Sequence, residues 1–85
     1  LDNEKTTITY WRFPPKTQTG WHDHTYDYAT IQQSGGRLLL KSESGETKTV
    51  DYEDGKVVAY KAPVVHNALN ISDEDVRVIE IEYKT

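Results

Sequence analysis

Proline and glycine leave this chain little room for a long regular element. Pro14-Pro15, Gly35-Gly36, Ser44-Gly45, Asp54-Gly55 and Pro63 interrupt it again and again, and no run between them carries an apolar stripe of helical period. The intervening residues are instead rich in β-branched and aromatic types, which suit strands. Strands are predicted over residues 6–13, 21–24, 28–33, 37–42, 47–52, 56–60, 64–71 and 76–83. Gly35-Gly36 is placed where a hairpin needs positive φ, and Pro14-Pro15 ends the first strand because neither residue donates to a ladder. Eight short strands predict an antiparallel all-β fold, a small β-barrel or double-sheet jelly roll.

At 85 residues the expectation is one domain, residues 1–85, with a thin core. Cysteine is absent, so neither a disulfide nor a thiolate site can reinforce it; a bound metal or a second copy of the chain is what remains. The net charge of −4, with its signs interspersed, offers no basic stripe and excludes nucleic acid as the expected partner. No apolar run approaches the ~20 residues that span a membrane, and Leu1-Asp2-Asn3-Glu4-Lys5 is no signal peptide. A soluble, cytoplasmic protein is expected, and the missing initial Met fits trimming from a longer chain.

His22 and His24 are separated by one residue in a predicted strand, so both imidazoles point to the same face. His66, the only other histidine, lies in a strand that can return beside them. An isolated strand histidine more often serves packing or hydrogen bonding, but three that converge make a metal-ligand set. Imidazole suits zinc, iron, nickel and copper, with manganese the weakest binder of the divalent series.

These histidines and eight strands resemble the cupin family of small β-barrels, whose two motifs build one metal site. The first motif runs Gly, five residues, His, one, His, three or four, Glu, six, Gly. Lys16 stands at its leading glycine, His22 and His24 match, Tyr28 replaces the glutamate and Gly35 ends it. In the second motif Gly55, His66 and Asn70 match, while Lys61 and Pro63 replace a proline and a glycine. The resemblance implies one divalent transition metal held by His22, His24 and His66, and a small metal-dependent enzyme of lyase, isomerase or dioxygenase type. A small carboxylate-bearing or polar metabolite is the implied ligand; a non-catalytic binding or sensing module is the alternative.

Without the glutamate, three neutral imidazoles leave a divalent ion formally dicationic and receptive to an anionic oxygen donor. Tyr28 is the candidate catalytic residue, as a proton carrier, with packing and phenolate ligation as its other roles. Asp23, Asp27 and Asn70 are candidate acceptors for the outer imidazole nitrogens, although strand parity turns Asp23 away. Glu80 and Glu82 read as a solvated face of the last strand, with one of them lining the barrel mouth as the alternative; Arg12, Arg37 and Lys61 read as surface cations that would bind an anionic substrate only if turned inward. Tyr10, Trp11 and Phe13 place aromatics on both faces of the first strand, which either fill the core or form a homodimer contact there.

Overall fold

The computed structural model of the protein describes residues 1–84. Its strands are β1 (Thr6–Phe13), β2 (Gln18–His24), β3 (Tyr28–Gln32), β4 (Arg37–Ser42), β5 (Thr47–Asp51), β6 (Val57–Tyr60), β7 (Val64–Asn70) and β8 (Val76–Tyr83). Spans 6–13, 37–42 and 76–83 agree with the sequence reading, and β3, β5, β6 and β7 differ from it by one residue at one end. The larger departure is β2, which begins at Gln18 rather than at residue 21. The register with β7 slips between Gln18 and Trp21, and Gly20 has a φ of +81°. The glycine is therefore a β-bulge inside the strand, not a break before it.

Two antiparallel four-stranded sheets face each other, in the orders β1-β8-β3-β6 and β2-β7-β4-β5, and no helix occurs among the described residues. No helix is therefore long and apolar enough to cross a membrane. Only β4 and β5 pair as sequence neighbours; the other pairings, β1 with β8, β8 with β3, β3 with β6, β2 with β7 and β7 with β4, are non-consecutive. This is a jelly-roll barrel, and it corrects the hairpin expected at Gly35-Gly36. That loop instead carries the chain from one sheet to the other. Positive φ serves either kind of turn, and here Gly36 (φ +103°) is also demanded by packing: a Cβ would lie 2.6 Å from Val76 Cγ2.

Phe13, Leu38, Ala68 and Val76 form the buried apolar cluster, with Trp11, Leu40 and Tyr52 packed against it. Next to it Asn70, fully buried, donates to the carbonyls of Phe13 and Glu74 at 2.8 Å each and accepts from Ser72 N and Oγ. One amide thus ties the end of β7 to the end of β1 and to the turn before β8. The aromatics of β1 divide between its two faces. Trp11 and Phe13 face the interior, while Tyr10 is 58% exposed on an edge strand.

Candidate metal centre

The Gly20 bulge re-aims the rest of β2 so that His22 and His24 face inward. His22 is the direct cross-strand partner of His66 on β7, and their Nε2 atoms are 2.9 Å apart. His24 completes the group: one nitrogen of each ring lies within 4.8 Å of those of the other two. The rings stand nearly perpendicular, at 81° between His22 and His24, 71° between His22 and His66 and 89° between His24 and His66. The sequence thus located the three histidines that the fold brings together.

Their protonation suits a cation. His22 Nδ1 lies 3.2 Å from the Gly20 carbonyl, which can only accept, so this nitrogen carries the hydrogen and Nε2 keeps its lone pair. Thr19 supports that loop, its hydroxyl donating to the same carbonyl at 2.8 Å and accepting from Ala68 N at 3.1 Å. Burial pushes His24 and His66 down to about 4, with the neighbouring imidazoles adding to the effect. Both are neutral at physiological pH, as a metal ligand must be. His24 is 4% exposed, and its Nε2 is buried without a hydrogen-bond partner. Two imidazole nitrogens 2.9 Å apart require a proton or a metal ion between them, and donors about 2.1 Å from one ion at a right angle stand about 3.0 Å apart. The residues fit a divalent ion.

Tyr28, 2% exposed, lies between His24 and Tyr60, with ring centroids 4.1 and 4.9 Å away and interplanar angles of 24° and 18°. Burial raises its phenol above the ordinary range, as it does for Tyr52 and Tyr60. All three phenols stay neutral and line one cavity of about 60 Å³ with Trp11, His22 and His66, over an apolar floor that includes Leu38 and Val78.

The carboxylates depart from expectation. Glu80 and Glu82 do alternate with Ile79 and Ile81, but the glutamates face the interior: Glu80 is 8% exposed. Alternation defines two faces of a strand without saying which is inside, and a barrel that holds a polar site reverses the usual choice. His24 Nε2 faces Glu80 Oε1 at 3.6 Å, and His24 Nδ1 faces Glu82 Oε2 at 3.9 Å. Trp11 Nε1 donates to Glu80 Oε2 at 3.3 Å. Burial pushes the Glu80 carboxyl up, against the lowering by this hydrogen bond.

The expected acceptors are elsewhere. Asp23 is exposed, Asp27 caps Ala62 N at 2.8 Å, and Asn70 serves the backbone. Arg12 and Arg37 are exposed and paired with Asp75 and Asp51, and Lys61 is exposed.

The model of the cupin domain family matches residues 9–82. The chain is 36% identical over 84 residues to the beta-alanine degradation protein BauB of Pseudomonas aeruginosa, an alignment covering 99% of this chain and 87% of that protein. A cupin domain from Bordetella pertussis superposes with a TM-score of 0.93 at 39% identity, covering 100% of this chain and 88% of the other. A double-stranded β-helix protein from Klebsiella pneumoniae, 19% identical, superposes at 0.79 over 99% of this chain and 71% of its own length and supports the fold alone. Fold, motif spacing and sequence agree, and the chain belongs to the cupin family.

Proposed function

We propose that this chain, as a single cupin domain of residues 1–85, binds one divalent transition metal through His22, His24 and His66 and is a metal-dependent enzyme for a small carboxylate-bearing metabolite. The observation that carries the reading is the meeting of the three imidazoles, with His22 Nε2 2.9 Å from His66 Nε2 and His24 Nε2 buried without a partner. When bound, such an ion supplies Lewis-acid polarisation of a substrate oxygen or an open position for dioxygen.

The rest of the chemistry belongs to the chain. A cavity of about 60 Å³ equals about two waters' share of liquid volume, so it encloses a few heavy atoms of a ligand. The curated relative is named for beta-alanine degradation, and a short amino or keto acid with one end in the cavity is the ligand class we take from it. Leu38, Val78 and Phe13 exclude water from the floor, and the neutral phenols of Tyr52 and Tyr60 offer hydrogen bonds to a polar ligand. Tyr28, fixed by its two stacked neighbours, is the residue we assign as proton donor to the bound molecule. A homodimer through β1 belongs to the same proposal, supported by its edge position and by exposed Tyr10.

Elemental analysis of untagged protein prepared without chelator tests the reading. Near-stoichiometric metal in the wild type and none in the His22/His24/His66→Ala variant is the expected result. A wild-type protein that is empty and takes up no added zinc, iron or copper overturns it.

A further inference from the structure

The first cupin motif carries a tyrosine, Tyr28, in place of its glutamate, and the partner of Tyr28 across the sheet is Glu82 on β8. Two residues earlier on the same strand, with its side chain on the same inner face, is Glu80. We propose that Glu80 supplies the carboxylate that the first motif lacks, joining His22, His24 and His66 as a donor to the metal. The inference rests on the histidine reading and extends it by one ligand from a strand outside both motifs.

Three observations carry it. Glu80 Oε1 faces the His24 nitrogen that is buried and has no partner, at 3.6 Å. Donors about 2.1 Å from one ion stand that far apart when the angle between them is about 120°, so these two atoms can share an ion; Glu80 groups with His24 and Glu82 rather than with His22 and His66, and its carboxylate joins the three imidazoles by rotation of its side chain toward them. The other oxygen, Oε2, is already held by the Trp11 indole at 3.3 Å, and ligating carboxylates are commonly oriented by a hydrogen bond of this kind. Finally, Glu80 is 8% exposed and its only ion-pairing neighbour among the described residues is His24. A buried carboxylate needs a positive partner, and an ion held by three neutral imidazoles needs a negative one.

Glu82 is the second carboxylate within reach: His24, Glu80 and Glu82 each place one donor atom within 4.8 Å of the other two. Its oxygen lies 3.9 Å from His24 Nδ1, on the far side of the ring from the unpartnered Nε2, and Glu80 rather than Glu82 is held by the Trp11 indole, so Glu80 is the carboxylate the geometry favours.

The test is titration of metal-free protein with cobalt(II), reading the visible ligand-field spectrum and the affinity by competition with a chelator. Wild type, Glu80→Gln and Trp11→Phe are compared after far-UV circular dichroism has established that each is folded. Expected are at least tenfold weaker binding and a changed spectrum for Glu80→Gln, with a smaller shift of the same bands for Trp11→Phe. Wild-type affinity and spectrum in Glu80→Gln overturn the role of Glu80 while leaving the histidine site standing. Should Glu80→Gln not fold, Trp11→Phe decides: bands and affinity identical to wild type overturn the proposal. A wild-type protein that binds no cobalt overturns the histidine reading and this inference together.

Discussion

The ring of Tyr28 lies nearly flat on that of His24, with centroids 4.1 Å apart and planes 24° apart. The ring and the hydroxyl of this residue therefore have separable duties. Tyr28→Phe keeps the stack and removes only the donor. Its metal content and urea midpoint are expected to match wild type, while turnover of an identified substrate falls by about 10²–10⁴. Unchanged turnover would remove Tyr28 from the chemistry. Tyr28→Ala loses the ring as well and is expected to cost about 3–5 kcal/mol in urea denaturation.

The metal-free protein should lose stability in mild acid. His24 and His66 are held down to about 4 in the folded state, against about 6.5 when unfolded. Between these values the unfolded chain binds more protons than the folded one, so stability rises with pH. It is complete above about pH 6.5 and is lost as pH falls through about 4. Denaturant midpoints measured with chelator present, from pH 4 to 7.5, are expected to rise across this window, and to rise less in a His24/His66→Gln variant. Midpoints that are flat in wild type would contradict the buried, neutral imidazoles.

Asn70 matches the second motif but makes its hydrogen bonds to Phe13, Ser72 and Glu74 rather than to a histidine. Asn70→Ala leaves two carbonyls and Ser72 without their partner and is expected to destabilise by about 2–4 kcal/mol. Metal content per folded molecule should not change. Loss of metal with no loss of stability would return Asn70 to the histidines.

Lys16 stands where the motif has its leading glycine, and its φ of +66° is the left-handed conformation that glycine adopts without cost. A left-handed L-residue is strained by about 1–2 kcal/mol, partly offset in Lys16→Gly by the greater freedom of glycine in the unfolded chain. Thermal denaturation is expected to show a gain of up to about 1 kcal/mol. A loss would mean that the Lys16 side chain contributes more than its backbone strain removes.

What could be read from sequence was whatever a local rule fixes. Strand spans followed from β-branched runs between breakers, and the shared face of His22 and His24 from a period of two. Which strand lies beside which is not local: Gly36 and Gly45 both have positive φ, yet one crosses between sheets and the other closes the β4–β5 hairpin. Glu80 was read as inward-facing only in second place, for a related reason. Its alternation with Ile79 and Ile81 looks like an ordinary solvated face, and only the pairing of β8 with both β1 and β3 turns it inward beside Trp11 and His24. The signal that could have found it is two glutamates on a central strand of a chain whose metal motif lacks one.

Because all but one of the strand pairs join distant parts of the chain, little of this barrel can form early. Folding of such a topology is slow, on the order of milliseconds to seconds, since loop-closure entropy must be overcome before most contacts form. His22 and His66 are 44 residues apart in sequence and meet only when β2 has found β7. An ion between them would in effect be a reversible cross-link closing that long loop. It would restrain two distant strands in a chain that has no cysteine to do so, and its release would loosen the pairing of β2 with β7 as well as empty the site.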